Sequence, residues 1–194
     1  VLGLSAPERD PGQPLTVIRV EEESVAAAAG FAAGDQLVAM DGTPTRWIVK
    51  DGYMECVKGS GYIRTLRNFG SFQLHVEWRG PADFQGPWSN RGNNGVMLHG
   101  LYEIQIFDSF NEPIYPDGQC AAIYGQTPPL VNVCRKPGEW QSYDIEFHAP
   151  KFENGKVVEP PRVTVLHNGV LVHDNAVIHG AIGHRVLPDA SRMV

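Results

Sequence analysis

Basic clusters, long apolar runs and metal-spaced cysteines are all missing from this sequence. Its 16 Lys and Arg stand against 22 Asp and Glu, a net charge of −6, and the basic residues form no patch. A phosphate backbone is bound through a basic footprint, so nucleic acid is excluded as the main partner. No apolar stretch approaches the roughly 20 residues that a membrane-spanning helix needs. Residues 1–10, "VLGLSAPERD", lack the basic start and apolar core expected of a secretory leader. Cysteine is sparse: Cys56, Cys120 and Cys134 fit neither a disulfide framework nor a zinc site by number or spacing. Cys120 and Cys134 have the option of pairing, but ordinary buried thiols are the expectation. Helical signals are scarce as well. "SVAAAAGF" is the one plausible helix, with Ser24 as N-cap and Gly30 at its C-terminal end.

What the sequence has in quantity is turn residues and short alternating stretches. Its 21 Gly and 15 Pro are spread along the chain. Between them lie "RWIVKDGYMEC", "SFQLHVEWR", "NGVMLHG", "YEIQIFD", "CAAIYG", "WQSYDIEFHA", "RVTVLHN" and "GVLVHDN". Apolar and polar residues alternating with period 2 mark strands with one buried face. Asn168-Gly169, between "RVTVLH" and "VLVHD", is the strongest hairpin signal. Many short strands without helical crossovers predict a mostly β chain, an antiparallel sandwich or jelly roll.

Several strands carry chemistry on their polar faces. In "YEIQIFD", Tyr102, Ile104 and Ile106 alternate with Glu103 and Gln105, and Asp108 follows. In "FQLHVEWR", His75 and Glu77 share a face opposite Leu74, Val76 and Trp78. Asp144, Glu146 and His148 lie opposite Tyr143, Ile145 and Phe147. Asn93, Asn94 and Gly95 form a turn, and His99 ends the next strand. Trp47 and Trp140 read as core. Trp88, in "GPADFQGPWSNRGNNG", is the better sugar platform because binding residues concentrate on loops. Tyr115 and Tyr124 are further aromatics able to stack on a sugar.

Residues 1–45 form a separate short α+β segment that resembles the first half of a bacterial PDZ domain. Leu2-Gly3-Leu4 matches the carboxylate-binding loop, and "ESVAAAAGFAAGDQLVAMDG" matches the segment that follows. The far-wall helix of such a domain has no counterpart after residue 45.

Residues 46–194 resemble the 3-keto-disaccharide hydrolase domain family through "GNNGVMLHGLYEIQIFDSF", "YPDGQCAAIYGQTPPLVNVCRKPGEWQSYDIEFHAP" and "RVTVLHNGVLVHDN". The resemblance implies a concanavalin A-like sandwich and action on glycosides oxidised at carbon 3, in a secreted or periplasmic bacterial setting. It implies Glu103, Glu77 and His75 as catalytic groups and Gln105, Asn94, Asp108, Trp88 and His99 as substrate-binding groups. A divalent cation is one option for stabilising an enolate. The family also has a final strand that this chain is expected to lack, leaving an edge for a second copy to pair with. The alternative is a non-catalytic carbohydrate- or peptide-binding module.

Overall fold

The computed structural model describes residues 4–5, 15–16, 19–20, 36–39, 45–50, 53–65, 67–83, 91–111 and 114–182. The expected helix at Ser24–Gly30, Trp88 and most of the PDZ-like loop lie outside the described residues. The chain divides into two units, Val1–Asn68 and Phe69–Val194.

The first unit contains short strands: β1 (Leu4–Ser5), β2 (Leu15–Thr16), β3 (Arg19–Val20), β4 (Gln36–Ala39), β5 (Ile48–Lys50), β6 (Tyr53–Glu55) and β7 (Ile63–Thr65). They pair as β1-β3, β2-β4-β7 and β5-β6, all antiparallel. The β4–β7 ladder joins residues on either side of position 45.

The second unit is an antiparallel β-sandwich. Its strands are β8 (Phe72–Trp78), β9 (Asn94–Leu98), β10 (Tyr102–Ile106), β11 (Gln141–His148), β12 (Lys151–Glu153), β13 (Lys156–Glu159), β14 (Arg162–His167) and β15 (Val170–Val177). One sheet runs β15-β14-β11-β8, while β9 and β10 form the opposing ladder. Residues 121–124 extend that ladder through three backbone bonds: Gln105 N–H to Ala122 O (3.0 Å), Ala121 N–H to Gln105 O (2.9 Å) and Tyr124 N–H to Glu103 O (3.0 Å). The segment therefore acts as a third strand beside β10.

The alternation explains which faces meet. Tyr143, Ile145 and Phe147 of β11, Val163 and Val165 of β14 and Trp78 of β8 pack with Leu98, Tyr102, Ile104 and Ile123 in one buried cluster. Tyr102 and Phe147 meet across the sheets as a tilted ring pair, 6.0 Å between centroids. Each such side chain removed from water contributes roughly 1.5–3 kcal/mol. The Asn168-Gly169 hairpin forms as expected, with φ of 52° and 80° and His167 opposite Val170. Positive φ at both turn positions is what a tight two-residue hairpin demands. Trp140 departs from its expected place in the core. It is 41% exposed, and the Arg79 guanidinium lies 5.0 Å from its ring centroid. A strand start at the sheet margin has no opposing layer to bury it.

Candidate active site

Glu103 projects from β10 on the face away from Tyr102 and Ile104. Its register partner is Met97, and one step along the same face is Gly95. The Glu103 side chain lies directly over that glycine: a Cβ built on Gly95 would stand 2.1 Å from Glu103 Oε1 and 2.6 Å from its Cγ. Only a residue without a side chain leaves this carboxylate room. Half burial disfavours the charged form and pushes the Glu103 carboxyl up to about 6. A carboxyl titrating there can both take and return a proton near neutral pH.

The wall beside Glu103 comes from "YPDGQC". Pro116–Gly118 make a 3₁₀ turn, and the Tyr115 ring folds back over Gly118, whose added Cβ would meet ring carbons at 2.0 and 2.2 Å. The Tyr115 and Tyr124 hydroxyls are 3.1 Å apart. That hydrogen bond, with burial and the charges of Asp117 and Glu103, raises the Tyr115 phenol to about 12. Carboxylates and paired hydroxyls thus act on one another on a face also bearing exposed aromatic surface. Tyr115 and Tyr124 were legible as aromatics able to stack on a sugar. Asp117 was missed, since in sequence it reads as turn chemistry alone.

The remaining expected residues are placed as follows. Gln105 shares the Glu103 face but is only 3% exposed, covered by the 118–122 segment. Its Nε2 donates to Gly118 O at 3.4 Å, and its Oε1 has no hydrogen-bond partner among the described residues. Asn94 pairs with Ile106, on the face that carries Ile104, and its Oδ1 accepts the Gly95 N–H at 2.9 Å. His99 turns at φ 52° and packs edge-on against Phe147 at 4.8 Å, with Nε2 3.0 Å from Gly70 O.

Asp108 accepts from Arg91 Nε at 2.8 Å, from a second Arg91 nitrogen and from the Phe110 N–H. It lines a small cleft with Trp78, Arg91, Arg135 and Gln141 rather than the Glu103 face. His75 and Glu77 stand on the outward face of β8, since Leu74, Val76 and Trp78 face the core. His75 Nδ1 lies 2.6 Å from Asp144 Oδ1 across the β8–β11 pair. The core of the sandwich therefore separates His75 and Glu77 from Glu103, and the structure does not bring them into one groove.

Among the described residues no three His, Cys, Asp or Glu side chains gather to hold a metal ion.

Residues 34–190 match the family model of the 3-keto-alpha-glucoside-1,2-lyase-like domain. The chain belongs to that family. In a solved structure named "putative glycosyl hydrolase" from Parabacteroides distasonis ATCC 8503, the similar region is 35% identical with a TM-score of 0.75 and covers 95% of this chain and 70% of that one. Two further structures of the same name and organism match at 23% identity (TM-score 0.46, covering 65% of this chain and 60% of that one) and 19% (0.48, covering 70% and 65%). No functionally curated protein matches. A carbohydrate-related, hydrolase-like sandwich of the 3-keto-alpha-glucoside-1,2-lyase-like family is thus the frame in which Glu103 sits.

Proposed function

We propose that this chain cleaves the glycosidic bond of 3-keto-glycosides by elimination, with Glu103 as the base. The observation that carries the reading is a half-buried carboxyl, held over Gly95 and raised to about 6. A ketone at carbon 3 acidifies the hydrogen on carbon 2. Glu103 removes that proton, and the electron pair forms an enolate. As the enolate collapses, the ketone returns, a double bond forms between carbons 1 and 2, and the bond from carbon 1 to the leaving oxygen breaks. That oxygen must gain a proton, and in this reading the Tyr115–Tyr124 hydroxyl pair, whose oxygens lie 3.1 Å apart, supplies it. Water then adds its hydroxyl at carbon 1 and gives its remaining proton back to the tyrosine pair, and Glu103 returns its proton to carbon 2, restoring the 3-keto sugar. His75 and Glu77, on the far face, enter no step.

The test is release of 3-keto-glucose from an oxidised disaccharide, run beside the plain disaccharide, with and without chelator. Glu103→Gln is expected to lower turnover by about 10²–10⁴-fold, the usual worth of a positioned base. Circular dichroism should be unchanged. Full turnover in Glu103→Gln removes Glu103 from the mechanism. Sugar binding with no product from the wild type leaves the binding-module reading in its place.

A further inference from the structure

We propose that Cys120 and Cys134 are a dithiol that small-molecule disulfides oxidise to an intramolecular disulfide, stapling both ends of the segment that walls the Glu103 face. Both are free thiols in this structure and both belong to the sandwich core. Two contact networks place the cysteines together, and each thiol shifts the other's titration. Both reach the backbone of Phe107, Cys134 Sγ lying 3.7 Å from its carbonyl oxygen. Ser109 ties the two backbones, its hydroxyl accepting the Cys120 N–H at 3.3 Å and donating to Asn132 Oδ1, which also accepts the Cys134 N–H.

The two sulfurs are unequal, which sets the order of events. Cys120 is sealed in the core beside the Tyr143 hydroxyl at 3.1 Å, and burial pushes its thiol up. Cys134 lies at the core margin next to exposed Arg135. The hydrogen bond from Cys120, helped by Ser109 and Gln141, brings its thiol down to about 6. Thiolate is the attacking form in disulfide exchange. Cys134 thiolate attacks a glutathione disulfide, forming a mixed disulfide and releasing one glutathione thiolate. Cys120 then displaces the second glutathione and gives up its proton to it. The protein loses two hydrogens, and one glutathione disulfide becomes two thiols.

The consequence falls on the site. Residues 121–124 form the third strand beside β10 and carry Tyr124. Closing the loop from 120 to 134 fixes this segment at both ends, whatever role Glu103 plays.

The experiment uses the full chain carrying Cys56→Ser, which removes the exposed thiol. The protein is held in oxidised glutathione, denatured without reductant, alkylated and mapped by mass. The expected result is a linked peptide pair containing Cys120 and Cys134, two hydrogens lighter and closed to alkylation until reduced. Tm should rise on the order of 6–12 °C on oxidation, the scale for closing a loop of this length. Cys134→Ala and Cys120→Ala, each folded by circular dichroism, should lose both the link and the rise. Quantitative alkylation of both cysteines after oxidation overturns the proposal. So does a glutathione adduct on Cys134 that never resolves.

Discussion

Replacing Gly95 by alanine tests whether the placement of Glu103, and not merely its presence, matters. The new Cβ would lie 2.1 Å from Glu103 Oε1, 2.6 Å from Cγ and 2.7 Å from Cδ. Ordinary contact between such atoms is about 3.5–4.0 Å, so the carboxyl must retreat by about 1 Å or more. Glu103 is flexible, and the rotamer change costs about 0.5–1.5 kcal/mol, small beside a stability of about 5–15 kcal/mol. The fold is therefore retained. A reacting group misplaced by about 1 Å loses about 10²-fold in rate, which is the drop expected in kcat/KM for release of 3-keto-glucose. A second readout accompanies it. Wild-type activity should rise with pH to a plateau above about 6, as the base loses its proton. In Gly95→Ala, a carboxyl swung toward solvent should titrate lower, so the rise begins at lower pH. Undiminished turnover with an unmoved pH profile would refute the assignment of the reactive position.

Two predictions concern stability. Tyr143→Phe removes a 2.6 Å bond to the Gln105 carbonyl, but the Ala121 N–H still reaches that oxygen. The cost is therefore about 1 kcal/mol rather than the penalty of an orphaned acceptor, read by urea denaturation. His167 is held neutral, its burial bringing it from 6.5 down to about 4, while Nε2 lies 2.9 Å from Gln141 Oε1. Because the folded pKa is the lower one, the stability this histidine contributes is complete above pH 6.5 and lost as pH falls toward 4. Its replacement by glutamine should flatten Tm against pH across that window. An unchanged slope would show that other groups set the acid limb.

The alternation of "WQSYDIEFHA" foretold β11 residue by residue, with Tyr143, Ile145 and Phe147 buried and Glu146 and His148 exposed. In "YEIQIFD" the same rule placed Tyr102 and Ile104 in the core but left Gln105 exposed, and the structure buries it. Periodicity sees one strand and its two faces, whereas the cover on Gln105 comes from 13 or more residues away, in the Gly118 turn. His75 and Glu77 were grouped with Glu103 for a related reason: polar faces on two strands look alike until sheet pairing decides which side of the sandwich each occupies. The role of Gly95 under Glu103 was invisible because turn chemistry already accounted for it. Only cross-strand register reveals the second use.

The strand-like run at 121–124 is hydrogen-bonded to β10 through main-chain groups. Bonds of that kind take no account of which side chains they carry. Exchanging Tyr124 would remove its hydroxyl bond to Tyr115 but leave those main-chain bonds, and the seat of the Glu103 carboxyl over Gly95 does not depend on it. In an evolving lineage, such a layout lets the aromatic face beside Glu103 vary while the carboxyl keeps its position.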